Sequence, residues 1–319
     1  MSLRTLILAA AAVATAFSSA QADEISKVYV SQIVEHPALD AARNGLLRGL
    51  GDQGFIEGEN LEFVYRTAQG NASTAVQIAR DFIGDKPDVL VGIATPSAQA
   101  LVSATSEIPV VFSAVTDPVG ASLMTDMAAP DQNVTGLSDR SPVAQHLDLI
   151  LQIAPEATRI GVIYNPGESN SQSILEDLQR EAAKRDLEIV ESTALQTADV
   201  LTASRNLLGK VDFIYAPTDN TVAAAIDVIA QAAIDGKTPL FAGSNSYVER
   251  GALVGLGFDY DQIGYQTASY VADLLRGVEV SELPARVATG SDLMVNTTTA
   301  EALGFSLPAH VLSEATKIE

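Results

Sequence analysis

Residues 86–93 read KPDVLVGI, and residues 210–216 read KVDFIYA. In both stretches a lysine and an aspartate precede a continuous apolar run, which is typical of a strand covered on both faces of a sheet. A second pair of stretches matches in the same order, IPVVF at 108–112 and TPLF at 238–241. These matches predict one α/β unit that occurs twice, because their separation is far longer than the period of a solenoid repeat.

Strands and helices alternate around these matched stretches. In the first half the pattern predicts strands at 28–33, 60–65, 89–93 and 109–114, with helices at 38–50, 72–83 and 97–105. In the second half it predicts strands at 159–164, 187–190, 212–215 and 239–242, with helices at 171–184, 197–208 and 222–234. Strands separated by helices of this length indicate right-handed βαβ units and parallel sheets.

The end of the chain predicts a return between the halves, with strand 252–258, helix 262–275, strand 292–295 and a short helix from about 298. We expect crossings at 136–141, at 258–261 and around Asn296, which form a three-strand hinge. The predicted fold class is α/β, with two Rossmann-like domains that contain parallel sheets. The N-terminal domain comprises 23–138 plus about 262–288, and the C-terminal domain comprises 139–261 plus about 289–319.

Composition excludes several classes of protein. The 319 residues include 40 acidic and 19 basic side chains, for a formal net charge of −21, and they include no cysteine. A chain of this charge has no general attraction to nucleic acid or to an anionic membrane. Without cysteine it forms no disulfide, thiolate metal site or cysteine nucleophile. An apolar content of 47% predicts a globular protein rather than a disordered one.

The first 22 residues, MSLRTLILAAAAVATAFSSAQA, follow the pattern of a secretory signal peptide. One arginine precedes an apolar run, and small residues at Ala20 and Ala22 match an A-x-A cleavage site. The alternative is a membrane anchor, but the apolar run from Leu6 to Phe17 is shorter than the roughly 20 residues that span a bilayer. We expect cleavage after Ala22, a periplasmic location and no membrane insertion.

Polar residues follow the predicted strands of both halves. Ligands of open parallel sheets bind outside the carboxyl ends of the strands, and the loops there are rich in hydroxyl, amide and Asp side chains. The alternative is that these side chains only cap the following helices. The predicted ligand-binding residues are Thr95, Ser97, Ser113, Thr116, Asp117, Asn165, Ser169, Asn170, Ser171, Asp219, Asn220, Ser244, Asn245 and Asp259.

The chemistry of these loops favours a zwitterion. Thr95-Pro96-Ser97 has the pattern of a helix N-terminus, where free N–H groups bind anions. Across the predicted cleft, Asp219 and Asp259 could bind an ammonium group. The loops contain no arginine, which phosphate and dicarboxylate sites usually recruit. Three aromatic side chains either form an apolar wall or belong to ordinary packing: Tyr164, Phe258 and Tyr260.

Catalytic patterns are missing from the sequence. The three histidines, at 36, 146 and 310, lack metal-ligand spacing, and we expect His146 and His310 to face solvent. The sequence also has no G-x-S-x-G nucleophile elbow. We therefore predict no catalytic residue, no metal and no cofactor.

Several stretches together resemble a known family. They are HPALDAARNGLLRGLGDQGFIEGENLEF (36–63), PDVLVGIATPSAQAL (87–101), IPVVFSAVTDPVGASL (108–123), NVTGLSD (133–139), IGVIYNPGESNS (160–171), FIYAPTDNTV (213–222) and GFDYDQIGYQTA (257–268). The chain resembles the ABC-transporter substrate-binding proteins of the tryptophan/tyrosine-type group, which have the type I periplasmic-binding fold.

The resemblance implies a carrier that delivers a small molecule to an ABC permease and its ATPase. It implies an aromatic or apolar amino acid as the ligand, bound by a monomer in the cleft between the domains. Alternatives are a binding protein for another small solute, a ligand-sensing protein that feeds a receptor, and an enzyme on the same fold. The fold cannot separate transport from sensing, and the missing catalytic patterns argue against an enzyme.

Export is testable at the N-terminus. If residues 1–22 are a signal peptide, mature protein recovered from the periplasm begins at Asp23, because signal peptidase cleaves after the small residue Ala22. N-terminal sequencing measures this directly. Periplasmic material that still begins at Met1 would contradict the prediction.

Overall fold

The computed structural model describes residues 25–130 and 132–318, so the predicted signal peptide lies outside the described residues. Two sheets organise the chain. The strands of the first sheet are β1 (Ser26–Gln32), β2 (Leu61–Thr67), β3 (Val89–Ile93), β4 (Val110–Ser113), β5 (Val134–Ser138) and β11 (Arg286–Val287). The strands of the second sheet are β6 (Arg159–Tyr164), β7 (Glu188–Thr193), β8 (Phe213–Ala216), β9 (Leu240–Ala242), β10 (Val254–Phe258), β12 (Ser291–Asn296) and β13 (Thr316–Ile318).

Helices connect and cover the strands of each sheet. The helices of the first half are α1 (Pro37–Asp52), α2 (Ala72–Asp85) and α3 (Thr95–Ala104), to which the later helix α10 (Tyr260–Leu275) is added. The helices of the second half are α4 (Val143–Ile153), α5 (Ser169–Ala183), α6 (Val200–Leu207), α7 (Asn220–Ala223), α8 (Ile226–Asp235) and α9 (Asn245–Glu249), followed by α11 (Thr297–Leu303) and α12 (Ala309–Glu314). Short 3₁₀ turns lie at Thr197–Asp199 and Val280–Glu282.

The two sheets repeat one strand order. The first runs β2-β1-β3-β4-β5 and the second β7-β6-β8-β9-β10, with all of these neighbours parallel. This is a doubly wound order whose switch point lies between the first and third strands of each half. The predicted α/β class and the internal duplication are therefore confirmed.

Two strands at one edge of the second sheet, β12 and β13, depart from the predicted parallel arrangement. β12 pairs with β10 in the antiparallel direction, with Ser291 opposite Phe258. The chain leaves the second sheet at the end of β10. It re-enters the sheet at that same end after β11, so β12 must run along β10 in the opposite direction. The third crossing consequently lies between Ala288 and Ser291. The prediction of a crossing around Asn296 is wrong, because Asn296 ends β12 and caps α11.

The other two crossings lie between β5 and α4 and between β10 and α10. The predicted domain boundaries stay a proposal, which the strand membership of each sheet supports. Within residues 25–130 and 132–318, no helix has the length and apolar character that a membrane crossing needs.

Helix α10 is fixed by unusually close packing on α1. A Cβ atom added at Gly45 would collide with the backbone oxygen of Asp261, and one added at Gly264 would collide with the backbone oxygen of Ala42. The two backbones therefore touch where α10 begins. This contact holds the second crossing against the first sheet.

His146 is buried, so the prediction that it faces solvent is wrong; His310 is exposed as expected. The imidazole of His146 lies 2.8 Å from the hydroxyl of Tyr215 through Nδ1 and 2.8 Å from the carbonyl of Leu256 through Nε2. Both ring nitrogens are thus satisfied inside the second core, and burial lowers the pKa of His146 to about 4.

This histidine predicts a loss of stability in acid. Below its ordinary pKa of 6.5 the unfolded chain takes up a proton that folded His146 does not bind until about pH 4. The free energy of unfolding should therefore fall by about 2 kcal/mol from this group between pH 7.5 and 5. Denaturant titrations at both pH values give the change in the free energy of unfolding for wild type and for His146→Asn. Subtracting one change from the other removes the contribution of other groups. The exposed control His310→Asn should keep the wild-type slope, and equal slopes for wild type and His146→Asn would contradict the prediction.

Candidate binding site between the two sheets

A cavity lies where the carboxyl ends of the two sheets face each other. Loops from both halves and from the first two crossings form its wall. This is the position at which open α/β sheets bind ligands. The lining residues are His36, Ala38, Leu39, Ala94, Thr95, Ala114, Thr116, Asp139, Asn170, Thr218, Asp219, Asn220, Tyr247 and Tyr260.

The N-terminus of α3 opens into this cavity. Its N-cap position is Ala94, which provides no side-chain cap, and the hydroxyl of Thr95 is buried without a hydrogen-bond partner among the described residues. The first N–H groups of a helix lack intrahelical partners and attract negative charge. The cavity therefore has a site for an anionic group beside β3.

The backbone is strained at the same place. Ala94 and Ala114, which follow β3 and β4, have φ angles of 70° and 55°. Side chains with a Cβ rarely adopt this left-handed region, and such strain persists mainly at functional sites. Both strained alanines line the cavity, so the strain lies in its wall.

Asp139 places a carboxylate in the cavity from the first crossing. Thr116 Oγ1 donates a hydrogen bond to Oδ1 at 3.1 Å, and Tyr260 Oη donates one to Oδ2 at 2.6 Å. Burial raises the pKa of Asp139, although both hydroxyls stabilise its charged form. In the part of the chain that the structure describes, no basic side chain forms an ion pair with it. A buried carboxylate of this kind calls for a cationic partner.

Asp219 also lines the cavity, but its oxygens are engaged by the second half. Oδ2 accepts from the backbone N–H of Asn165 and the hydroxyl of Ser171, both at 2.6 Å, and Oδ1 accepts from the N–H of Val222 at 2.8 Å. Asp219 is thus the N-cap of α7. Burial and the neighbouring Glu168 carboxylate raise its pKa.

Glu168 orders the same loop. Its carboxylate accepts from the backbone N–H of Asn220 at 3.1 Å and from the backbone N–H of Thr221 at 3.2 Å, and the side chains of both residues donate to it as well. Two buried carboxylates therefore share the start of α7 and hold the loop after β8 in one conformation.

Four polar atoms of the cavity wall are buried without a partner among the described residues: His36 Nδ1, Thr95 Oγ1, Asn170 Oδ1 and Thr218 Oγ1. Buried polar groups in proteins nearly always have a hydrogen-bond partner. Four exceptions in one cavity point to a polar ligand. Burial also lowers the pKa of His36 to about 4, so its ring is neutral at pH 7.

The structure brings part of the predicted set together. Five of those residues line the cavity: Thr95, Thr116, Asn170, Asp219 and Asn220. Three more support or adjoin it. Ser171 donates to Asp219, Ser169 begins α5 with its hydroxyl unpartnered among the described residues, and Asn165 lines a wider cleft nearby.

The remaining predicted residues lie outside the cavity. Ser97 Oγ lies 3.4 Å from Ser31 Oγ, and the hydroxyls of Ser113 and Thr267 lie 2.9 Å apart. Asp117 pairs with Arg140 at 3.1 Å.

Three of these residues belong to the loops beside α9 and α10. Ser244 bonds Ser246, and Asn245 and Asp259 line a neighbouring cavity, where Asp259 is the exposed N-cap of α10. Direct ligand contact by any predicted residue stays a prediction, and the geometry favours those in the central cavity.

Of the three aromatic residues, Tyr260 alone lines the central cavity. Phe258 lines the neighbouring one, and Tyr164 donates to Glu191 at 2.7 Å. Sequence reasoning missed His36, Asp139, Thr218 and Tyr247 as site residues. The signal for Asp139 was its position directly after a strand, in a predicted crossing. Among the described residues, no group of three or more His, Asp or Glu side chains could hold a metal ion.

Comparisons with known proteins agree with this geometry. A family model described as ABC transporter substrate binding protein matches residues 27–319. A curated relative, the tyrosine-binding protein of Clostridioides difficile (strain R20291), is 36% identical over 274 residues, which cover 86% of this chain and 79% of the relative.

Two solved structures are also similar. A domain from Streptococcus pneumonia in complex with L-Trp is 31% identical, with a TM-score of 0.88, and the match covers 92% of this chain and 99% of that one. The ligand-free, open structure of a substrate-binding protein with adhesive properties from Clostridium difficile is 37% identical, with a TM-score of 0.71 and the same two coverages.

The bonds of Asp219 predict a structural effect of its substitution. In Asp219→Asn one of the two side-chain oxygens becomes an amide N–H₂ group, which cannot accept a hydrogen bond. At least one of the three buried donors that now bond the carboxylate therefore loses its partner. The free energy of unfolding without ligand should fall by about 1–3 kcal/mol. Urea titration measures it, with the exposed Asp227→Asn as the matched control, which should change stability by less than about 0.5 kcal/mol. Equal stability of Asp219→Asn and wild type would contradict the prediction.

Proposed function

This chain belongs to the family of ABC transporter substrate-binding proteins, and from that premise we propose that it binds a free amino acid with an aromatic side chain in the cavity between its two sheets. The family match covers residues 27–319. The proposal is one of binding and delivery, without catalysis.

The observation that carries the proposal is the pair of opposite subsites in one cavity. The start of α3, with its free N–H groups and the hydroxyl of Thr95, suits a carboxylate. The carboxylate of Asp139 suits an ammonium group, because no basic side chain among the described residues pairs with it. The described lining includes no lysine or arginine, so it is a poor match for phosphate or a dicarboxylate. An α-amino acid carries both required charges, on two groups that are bonded to the same carbon.

The rest of the wall supports an aromatic side chain. Leu39, Tyr247 and Tyr260 provide apolar and aromatic surface around the cavity. Aromatic rings pack favourably against such surfaces in stacked or edge-on arrangements. The Clostridioides difficile relative is named for binding tyrosine, and the Streptococcus pneumonia structure contains L-Trp.

We further propose that the two halves close on the ligand about the three crossings. This structure is more similar to the L-Trp complex than to the ligand-free open structure, although the open protein is the more similar in sequence. A ligand that contacts both halves stabilises the closed arrangement by its additional contacts there. Because Thr95 lies on the first half, Asp139 on a crossing and Tyr247 on the second half, the ligand bridges them.

The cellular setting belongs to the same proposal. Cleavage after Ala22 would release the protein into the periplasm, where it would act as a monomer and deliver its amino acid to an ABC permease and ATPase. The signal-peptide pattern of residues 1–22 and the family match support this importer function.

Substitution of Asp139 tests the ammonium subsite. Asp139→Asn keeps the shape of the side chain and removes its charge, which contributes about 1.5–3 kcal/mol to a hydrogen bond with an ionised group. Calorimetry should show a fall of roughly 10- to 150-fold in affinity for L-Tyr and L-Trp. In X-ray scattering, ligand should reduce the radius of gyration of wild type, and the variant should respond only at much higher ligand concentration.

The matched variant is Asp259→Asn. Asn is also a good N-cap, and Asp259 lies outside the central cavity, so affinity should stay at the wild-type value. A loss of affinity in Asp259→Asn with none in Asp139→Asn would place the ammonium in the neighbouring cavity and contradict the proposed subsite.

A further inference from the structure

The polar groups of the cavity follow different strands of the sheets. Asp139 follows β5 and Thr95 follows β3, whereas His36 follows β1. The order of these strands is β5-β4-β3-β1, and neighbouring strands lie about 4.8 Å apart, so β1 is about 14 Å from β5. We therefore expect the charged groups of a zwitterion to lie near the ends of β5, β4 and β3. His36 follows β1, on the far side of β3 from β5.

The second half shows the same division. Tyr260 and Tyr247 follow β10 and β9 on the crossing side, whereas Thr218 follows β8 and Asn170 follows β6. Thr218 and Asn170, whose unpartnered atoms belong to the wall of the same cavity, thus follow the strands that lie away from the crossings. A ligand side chain that extends from the zwitterion subsites reaches this end.

One ring nitrogen of His36 has no partner. Nδ1 is buried and forms no hydrogen bond with the described residues. The ring is neutral at pH 7, because burial lowers its pKa to about 4. A neutral imidazole has one N–H donor and one acceptor nitrogen, so Nδ1 accepts a hydrogen bond in the tautomer that carries its proton on Nε2.

Two neighbouring polar groups, Asn170 Oδ1 and Thr218 Oγ1, also lack hydrogen-bond partners among the described residues. The amide nitrogen of Asn170 already donates to the carbonyl of Thr218 at 3.1 Å and to Glu168 at 3.3 Å, which leaves Oδ1 as a second acceptor. The hydroxyl of Thr218 can donate or accept. A purely apolar side chain would cover these groups and leave them desolvated and unpaired.

We propose, on the basis of the proposed function, that this end of the cavity recognises a hydrogen-bond donor on the ligand's aromatic ring, with Nδ1 of His36 as the acceptor. A phenol hydroxyl donates to His36 and accepts from Thr218, so it satisfies both. An indole N–H satisfies the acceptor alone, and a phenyl ring satisfies neither. The site therefore selects tyrosine and tryptophan against phenylalanine.

Isothermal titration of the mature protein with L-Tyr, L-Trp and L-Phe tests the selection. Wild type should bind L-Phe about 10- to 100-fold more weakly than L-Tyr, because L-Phe leaves the buried acceptor unpaired. Equal affinities for L-Tyr and L-Phe would overturn this inference and leave the amino-acid function standing. Binding of none of the three would overturn both.

Two variants separate recognition of the ring from general loss of binding. His36→Phe keeps a planar ring and removes the acceptor, and His36 makes no side-chain cap in α1, so the Tyr-to-Phe affinity ratio should collapse towards one. Thr95→Val is the matched control: its hydroxyl faces the carboxylate common to all three ligands, so it should weaken them by one factor and keep the ratio. An unchanged ratio in His36→Phe would overturn the inference.

A measurement on wild type covers the case in which His36→Phe fails to fold. In ¹⁵N spectra of histidine-labelled protein, Nδ1 of His36 should resonate as an unprotonated nitrogen without ligand. L-Tyr should move this resonance upfield as the nitrogen accepts a hydrogen bond, and L-Phe should not. The same response to both ligands would count against His36 as the acceptor.

Discussion

The buried carboxylate of Asp139 joins the parts of the molecule that meet at the cavity. It lies on the first crossing, it accepts from Thr116 of the first half, and it accepts from Tyr260 at the start of α10 on the second crossing. Tyr260 can reach it because α10 packs on α1 with the backbones in contact at Gly45 and Gly264. Burial of a charge without a counterion is costly. A cationic group in the cavity would offset this cost, and the proposed amino acid would supply one.

The fold was predictable because its signal is local and occurs twice. Continuous apolar runs such as 86–93 mark buried strands, the helices between them impose parallel pairing, and the matched stretches reveal the duplication. The sequence did not predict two features, because both depend on contacts between residues that are distant in the sequence. The direction of β12 follows from the end of the sheet at which the chain re-enters. The burial of His146 depends on Tyr215 and Leu256, whose positions the periodicity of α4 does not indicate.

The candidate site was predictable in position and only partly in its residues. Strand ends of parallel sheets meet at one edge, so the loops were identified, and the helix N-terminus at Thr95 follows from its sequence pattern. Which side chain of a loop enters the cavity depends on backbone angles that sequence alone does not give. At the end of β4, the hydroxyl of Ser113 contacts Thr267 of α10, and the next residue, Ala114, adopts a positive φ and lines the cavity instead. Asp139 was assigned to the hinge, although a hinge segment between two sheets is also part of the cleft wall.

The charges around the cavity explain why closure and binding would be linked. In this structure the carboxylates of Asp139, Asp219 and Glu168 lie near one buried region, where each raises the pKa of Tyr247, and the described lining holds no basic side chain. Outside the cavity, Arg140 pairs with Asp117 of the first half and Asp177 of the second. Its side chain is 40% exposed, so these pairs contribute little to closure. Like charges in the cavity would therefore oppose the proposed closure of the empty protein, and the ammonium group of the proposed ligand would reverse that balance. Under the proposed closure, the ligand itself would supply the differential contact that favours the closed state.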